Sequence, residues 1–159
     1  MTQITYRPEA PGDAPLIDDL IERAFGPGRY AKAAERLREG NRPMLALSFT
    51  AWDGAVLAGA VRLWTVHVGD RPILFLGPIA VEPGVRSHGV GQRLVERACE
   101  AAAQAGWRSI FLVGDAPYFG RVGFVPAPDV VMPGPVDQRR VLWRPLTDEA
   151  TPPAGLARV

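Results

Sequence analysis

The sequence predicts a mixed α/β domain of the α+β type, in which helices flank a twisted, mostly antiparallel sheet with one central pair of parallel strands. The antiparallel part follows from three segments rich in β-branched and aromatic residues, 44–52, Val56–Val68 and 73–81, which turn signals at Gly54 and Gly69 separate. The parallel pair follows from a strand, helix and strand predicted between residues 73 and 113. A strand reached through a helical crossover runs parallel to the strand that the chain has left.

The first part of the chain predicts one strand and two helical stretches. Ile4–Pro8 reads as a short strand that ends at a proline, and Asp13 is a candidate N-cap for the helix that follows. That helix is predicted from apolar residues spaced three or four apart, which are Leu16, Ile17, Leu20, Ile21 and Phe25. A second, more polar helical stretch is expected over residues 31–38.

The last part of the chain predicts a long helix, a further set of strands and a tail. The helix begins at Gly89 or Val90 and runs to residue 105, with Gly106 in the position that favours a helix end. Strands are expected over 107–113, 124–125 and 140–146, with a short helix or turn over 116–122. We therefore predict a single domain over residues 1–146 and a loosely held, proline-containing tail over residues 147–159.

Length and charge exclude several classes of protein. The chain has 159 residues, which fits one domain. Its 18 basic and 17 acidic residues leave a net charge of +1, so neither a nucleic-acid nor a membrane partner is expected. The most apolar run, 73–81, is far shorter than the roughly 20 residues that span a bilayer. Residues 1–8 lack the layout of a signal peptide, and a cytoplasmic location is expected.

Cysteine and histidine usage predicts that the protein binds no metal. Cys99 is the single cysteine, and its place among helical alanines is typical of a small buried apolar residue. The two histidines, His67 and His88, stand far apart in sequence without a second ligand at zinc-site spacing.

The loop between the third of the central strands and the long helix is the segment most informative about chemistry. Gly89 and Gly91 stand at the helix start, where glycines let the backbone approach a ligand and present its N–H groups. The helix N-terminus adds a partial positive charge, so a pyrophosphate is a natural guest. The GxxxxGK[ST] and GxGxxG phosphate fingerprints both fail here. On the two glycines alone, an ordinary glycine-rich helix entry is an equal alternative.

A longer pattern resolves this alternative. The run Arg86-Ser87-His88-Gly89-Val90-Gly91 matches the [QR]-x-x-G-x-[GA] loop of the Gcn5-related N-acetyltransferases, which this sequence resembles. Residues 76–81 look like the fourth strand of that family, and residues 116–124 resemble its YxxxGF segment. The resemblance covers nearly the whole chain. It implies the acyl-CoA N-acyltransferase fold, in which the parallel strands splay around acetyl-CoA.

The resemblance also implies which residues bind the coenzyme. The pyrophosphate would be held by the loop, which comprises Arg86, Ser87, His88, Gly89, Val90, Gly91 and Gln92. The pantetheine arm would pair with the backbone of Ile79, Ala80 and Val81, and Tyr118 and Phe119 would lie beside the coenzyme. A bulge at the level of residues 79–81 would aim the N–H of Val81 at the thioester oxygen, where donors lower the barrier.

Three side chains are candidates for catalysis or substrate binding. The family often uses the tyrosine of YxxxGF as the acid that protonates the leaving thiolate, but Phe119 holds that position here and Tyr118 precedes it. Tyr118 is thus either the acid or a packing residue. Glu82 is either a general base or a solvated loop carboxylate. Asp115 is either a ligand for a cationic amine or, as we favour, a cap for the next turn.

The resulting functional hypothesis is an acetyl-CoA-dependent N-acetyltransferase, which transfers an acetyl group to a primary amine by direct attack. The alternative is a non-catalytic acyl-CoA-binding or regulatory module on the same fold. A nucleotide-binding domain is a weaker third reading. The acceptor is a small-molecule or peptide amine, whose site we expect residues 26–40 and 130–138 to shape. Homodimers are common in the family, and one is a further expectation.

Overall fold

The structure, a computed structural model, describes residues 3–159 except the side chain of Ser87. In this part of the chain the strands are β1 Ile4–Pro8, β2 Phe49–Asp53, β3 Val56–Val68, β4 Arg71–Val81, β5 Ser109–Val113, β6 Val125–Pro126, β7 Val130–Val131, β8 Val141–Pro145 and β9 Gly155–Arg158. The α-helices are α1 Ala14–Phe25, α2 Val90–Gln104 and α3 Ala116–Gly120, and short 3₁₀ turns are Pro11–Asp13, Pro27–Ala31, Ala33–Leu37, Pro83–His88 and Gln138–Arg140.

One sheet organises the molecule, with the strand order β1-β2-β3-β4-β5-β8-β6. Each neighbouring pair in this order is antiparallel except β4 and β5, which are parallel and are joined through α2. Gly54 and Gly69, both with φ of 60°, form the tight turns that join β2 to β3 and β3 to β4. The predicted mixed sheet, its meander and its single parallel pair are therefore confirmed.

The alternation of side chains along β3 and β4 divides the core between the two faces of the sheet. Leu63 and Leu74 pack with α2 on one face, which we call the α2 face. On the opposite face, the α1 face, Ala60 and Ala80 pack against α1, and Phe75 packs with residues of the Ala33–Leu37 turn. The sheet thus separates two packing layers, and the central strands are covered on both sides.

The first helix and its surroundings differ from the prediction. Ile17, Leu20 and Ile21 are buried as expected, but Leu16 and Phe25 are about half exposed, because the helix packs by one narrow face. The Asp13 carboxylate does not cap α1. It accepts hydrogen bonds from the Ala10 N–H, at 2.8 Å, and from the side chain of Arg7.

The helix predicted over residues 31–38 is instead a pair of 3₁₀ turns, Pro27–Ala31 and Ala33–Leu37. Lys32 lies between them in an extended conformation, with φ of −82° and ψ of 148°, which interrupts the helical hydrogen bonds. Ala33 and Leu37 are buried against the sheet, so packing rather than helical continuity holds this segment.

The tail expected to be loosely held contains strand β9, which corrects the prediction. Strand β2 covers only the first half of the long strand β3, and β9 pairs with the later part through His67↔Arg158 and Val68↔Ala157. On its other side β9 pairs in parallel with β7, and Ala157 is fully buried. The tail satisfies backbone groups at a sheet edge that would otherwise face solvent.

Candidate active site

An opening lies in the middle of the sheet, between the carboxyl ends of the two parallel strands. β4 and β5 pair only at Leu74↔Ile110 and Phe75↔Phe111. Beyond this point β5 continues alongside β8, whereas β4 stays with β3 as far as Val81. The strands therefore separate, and the edge of β4 from residue 77 onwards faces the opening.

A bulge in β4 begins this separation. The register of β3 and β4 shifts between Val61↔Ile79 and Leu63↔Leu76, so that β4 accommodates one additional residue at Gly77 and Pro78. Gly77 has φ of 139°, a conformation that favours glycine, and its carbonyl accepts a hydrogen bond from the Trp64 indole. The bulge expected at residues 79–81 therefore lies two residues earlier, where a glycine and a proline permit the distortion.

The register also sets the direction of the amides at the end of β4. Glu82 N–H donates to the Ala58 carbonyl at 2.8 Å, which continues the ladder in which Ala80 pairs with Ala60. In an antiparallel ladder the intervening residues point their N–H groups the other way. Ile79 and Val81 thus present their N–H groups to the opening, whereas the Ala80 N–H faces β3. This direction is compatible with the role expected of the Val81 N–H, which stays a prediction.

The glycine loop lies next to the end of β4. Pro83–His88 forms a 3₁₀ turn, Gly89 takes a left-handed conformation with φ of 72°, and α2 starts at the next residue. The first N–H groups of a helix have no acceptor within it, and the helix dipole adds positive potential at the same place. The Arg86 side chain is exposed and its Nε donates to the Val81 carbonyl at 3.1 Å, which ties the loop to β4.

The remaining loop residues surround the helix start. Val90 and Gly91 are buried, Gln92 is partly exposed, and His88 is exposed. The side chain of Ser87 lies outside the described residues. Gly91 leaves no room for a side chain, because a Cβ there would collide with the Tyr118 hydroxyl and lie 3.6 Å from Val81 Cγ2.

Tyr118 therefore extends to the start of α2 and to the end of β4. Its backbone N–H donates to Asp115 Oδ2 at 2.9 Å, so Asp115 caps α3 as favoured from the sequence. Burial raises the pKa of Tyr118 from its usual value of 10.0, and the nearby Arg121 opposes this only in part. The hydroxyl is accordingly protonated at neutral pH and faces the region that the splayed strands enclose.

Phe119 takes a different place from its neighbour. It is buried, and its ring contacts Tyr118 edge-on at a centroid distance of 4.8 Å and Phe124 at 5.9 Å. A Cβ at Gly114 would collide with the Phe119 ring, so the phenylalanine is fitted closely against the end of β5. Phe119 is a core residue that supports Tyr118, and the site contains a tyrosine hydroxyl despite the offset in the motif.

Glu82 lies on the α1 side of the loop and is bound to α1. Its carboxylate accepts a hydrogen bond from Arg23 Nη2 at 2.7 Å, and Arg23 Nε donates in turn to Asp19 at 2.9 Å. In the structure, Glu82 thus forms an ion pair with Arg23.

A cavity of about 600 Å³ opens on the α1 face and reaches the β4 bulge; we call it the acceptor-side cavity. Its lining is strongly charged and comprises Asp18, Asp19, Ile21, Glu22, Arg29, Tyr30, Glu35, Arg38, Arg62, Trp64 and Pro78. Arg29, Tyr30, Glu35 and Arg38 of the 26–40 segment are among these lining residues. The 130–138 segment packs behind that wall instead, since a Cβ at Gly134 would lie 3.3 Å from the Ala33 Cβ.

The sequence reasoning missed Arg62 and the acidic face of α1. Both leave a signal in the sequence. Arg62 is a single charge inside an otherwise apolar strand, and Asp18 and Glu22 stand one helical turn apart. Among the described residues, no group of three or more His, Cys, Asp or Glu side chains is placed to hold a metal ion. Within residues 3–159, no helix is both long and apolar enough to cross a bilayer.

A strand, a glycine-rich loop and a helix beside splayed parallel strands define an acyltransferase-type site. The family model described as acetyltransferase (GNAT) family matches residues 15–124. The chain belongs to this family, and it is an acyltransferase of the N-acetyltransferase type.

Relatives from Escherichia coli K12 agree with this assignment. The uncharacterized N-acetyltransferase YhbS is 32% identical over 120 residues, which cover 74% of this chain and 71% of YhbS. The uncharacterized N-acetyltransferase YjhQ is 31% identical over 139 residues, which cover 82% of this chain and 77% of YjhQ.

Solved structures share the fold. The Escherichia coli YhbS crystal structure in complex with CoA superposes with a TM-score of 0.84 and 27% identity, covering 99% of this chain and 90% of YhbS. A GNAT family acetyltransferase from Brucella melitensis in complex with acetyl-CoA superposes with a TM-score of 0.72 and 20% identity, covering 100% and 97% of the two chains.

Proposed function

We propose that the protein transfers the acetyl group of acetyl-CoA to an amine by direct attack, without a covalent enzyme intermediate. The opening between β4 and β5 carries this proposal. On the α2 face it meets the helix N-terminus and Tyr118, and on the α1 face the acceptor-side cavity reaches the β4 bulge. One site can thus hold the coenzyme and the acceptor at the same time.

The residues present fit the coenzyme. The N–H groups at the start of α2 suit a pyrophosphate, and the space beside Gly89 is open, since a Cβ there would meet no atom within 4 Å. The free edge of β4 suits a pantetheine arm that pairs as an added strand. Relatives of the same fold bind CoA and acetyl-CoA in crystals. Acetyl-CoA, when bound, supplies an activated acyl thioester.

The chain contributes to the reaction at three atoms. The N–H of Val81, helped by that of Ile79, donates to the thioester carbonyl oxygen where negative charge develops. The neutral amine nitrogen forms a bond to the acyl carbon as the C–S bond breaks. The Tyr118 hydroxyl gives its proton to the sulfur, the proton lost by the amine leaves to solvent, and the tyrosinate takes a proton back from solvent. Glu82, held by Arg23, acts in this scheme as a link between α1 and the loop.

Calorimetric titration with acetyl-CoA tests the coenzyme site through Gly89→Glu. A left-handed glycine at a helix start tolerates neither a Cβ nor an added negative charge beside a pyrophosphate. We expect the Kd for acetyl-CoA to rise by at least about 100-fold, which corresponds to a loss of about 3 kcal/mol in binding free energy. Unchanged affinity in the folded variant would refute the proposed site.

Gly54→Glu is the matched control. Gly54 also has positive φ, of 60°, and open space around it, but it lies in the hairpin between β2 and β3. This variant carries the same conformational strain and charge, and should bind acetyl-CoA normally. Normal binding by the wild type without turnover on any amine would favour the non-catalytic acyl-CoA-binding module.

A further inference from the structure

Arg38 lines the acceptor-side cavity, and its hydrogen-bonding capacity is only partly used. Its side chain is 14% exposed, and Glu35 accepts from its Nη1 at 3.1 Å. A Cβ at Gly77 would lie 2.7 Å from Arg38 Nη2, so the guanidinium lies against the β4 bulge. Burial lowers the pKa of Arg38 despite the opposing charge of Glu35. A second carboxylate at this position would stabilise the charged form of the Arg38 guanidinium, which burial disfavours.

Arg62 provides a second cation in the cavity wall, on β3 opposite the bulge. It is nearly buried, and Glu9 accepts from its Nε and Nη2, both at 3.2 Å. Its Nη1 donates to Asp18 at 3.0 Å, but the Asp18 side chain is 63% exposed. An exposed partner contributes little, so a ligand carboxylate can replace Asp18 at Nη1 at small cost.

Three of the four carboxylates of the cavity lie on the exposed side of α1, whereas the fourth, Glu35, is nearly buried and pairs with Arg38. The side chains of Asp19 and Glu22 are more than half exposed, and Glu22 approaches Arg29 only to 3.6 Å. Charge recognition is stronger where water is excluded than where it is present. At the buried end, Arg38 Nε has no acceptor among the described residues, so an anion can bind there, whereas the exposed carboxylates hold a cation only weakly.

We propose that the acceptor is an amine with a carboxylate a few bonds from its reacting nitrogen, that is, an amino acid or a close analogue, and that Arg38 and Arg62 bind this carboxylate. The inference rests on the proposed function. Pro78 lines the cavity and directly precedes Ile79, whose N–H faces the opening. A carboxylate held at the bulge thus places a nearby amine nitrogen beside the acyl group. The bonds formed and broken in the transfer are those of the proposed function.

A panel of matched acceptors tests this class. Amino acids are compared with the amines that lack only the carboxylate, such as lysine with cadaverine, arginine with agmatine and tyrosine with tyramine. Transfer is measured by CoA release and by the mass of the product. We expect kcat/KM for the best amino acid to exceed that of its matched amine by about tenfold or more, which corresponds to one charge-assisted contact.

Arg38→Met removes the charge while keeping the length of the side chain. We expect KM for the preferred amino acid to rise by about tenfold or more, kcat and the affinity for acetyl-CoA to change little, and the matched amine to be unaffected. The double variant E35Q/R38M avoids leaving Glu35 unpaired and should behave in the same way if the single variant folds poorly. Arg36→Met is the control, because Arg36 stands two residues before Arg38 in the chain. Arg36 pairs with Glu39, and neither residue lines the cavity.

The outcomes separate this inference from the proposed function. Efficient transfer to amines without a carboxylate, or equal losses on both members of a pair in Arg38→Met, would overturn the inference and leave the acetyltransferase intact. Should no amine be acetylated, calorimetry of amino acids with the CoA-bound protein decides the matter. Absence of amino acid binding there overturns the inference, and failure of acetyl-CoA itself to bind overturns the proposed function.

Discussion

Tyr118 and Phe119 are neighbours in the chain, yet only the tyrosine reaches the site. The Phe119 ring fills the space above Gly114, and Asp115 fixes the turn that carries both residues. Tyr118 is consequently directed to Gly91 at the start of α2. The position of the motif points to the buried Phe119, which has no proton to give, whereas packing directs Tyr118 toward the start of α2, where the proposed function gives it the role of acid.

Replacing Tyr118 by phenylalanine tests its role as the acid. We expect kcat to fall by about 100-fold, within the usual range for losing a general acid, while the affinity for acetyl-CoA stays the same. Because the acid must be protonated and burial raises the pKa of Tyr118, we expect the decline of kcat due to this group at higher pH than for an ordinary tyrosine, whose pKa is 10.0.

Tyr6→Phe is the control for this experiment. It makes the same change on β1, and the activity should be unaffected. A kcat for Tyr118→Phe within about twofold of the wild type would show that Tyr118 is a packing residue and that the thiolate leaves without its help.

Among the secondary-structure elements, the tail strand β9 packs directly against β3. Its alternating pattern places Ala157 in the core beside Val68, while Leu156 is half exposed. Strand β9 pairs with the last two residues of β3, His67 and Val68, whereas the ladder that directs the β4 amides lies at the other end of β3. The tail is therefore part of the packed domain, at a distance from the site.

Ala157→Asp tests this contribution of the tail. The substitution buries a carboxylate without a partner, and we expect the free energy of unfolding to drop by about 3 kcal/mol or more. Urea denaturation followed by circular dichroism gives this value. Leu156→Asp introduces the same charge one residue earlier on the exposed side and should cost less than about 1 kcal/mol. Equal values for the two variants would show that the tail is not docked.

Local patterns predicted the elements whose signals lie within a few residues. The β-branched and aromatic residues of Val56–Val68, the turn glycines and the period of α2 each appear in the sequence and in the structure. The strand β9 was not predicted, because its partner β3 lies more than eighty residues earlier in the chain. A four-residue strand without a neighbouring hairpin carries no local signal of its pairing.

The same distinction applies to the site. The loop from Arg86 to Gly91 is contiguous, so its motif was readable, and the structure places it at the end of β4. The acceptor-side cavity draws on α1, two 3₁₀ turns, β3 and β4, and only the 26–40 segment was anticipated. Arg38 and Arg62 lie 24 positions apart in the chain, and the fold brings both to the lining of one cavity. No rule based on sequence spacing predicts this.

At the scale of the whole molecule, charge balance makes a prediction about coenzyme binding. With a net charge of +1 the surface offers little long-range attraction to an anion, and the phosphates depend on the amides at the start of α2 and on the local Arg86. We expect the Kd for acetyl-CoA to rise by less than about fivefold between 50 mM and 300 mM salt, because short-range contacts are screened least.

Calorimetry at several salt concentrations measures this dependence. Repeating the titration with Arg86→Met isolates the one side chain, whose loss should reduce both the affinity and the residual salt dependence. A rise of Kd well above tenfold for the wild type would mean that a wider basic surface takes part.

The division of the sheet into two faces governs how molecules enter and leave. The loop and Tyr118 serve the opening from the α2 face, and the cavity serves it from the α1 face. In the proposed reaction, acetyl-CoA and the acceptor therefore approach the opening from opposite faces of the sheet, and the two products leave by the same faces. On this proposal neither reactant has to leave before the other binds, and the acetyl group is the part that passes from one face to the other.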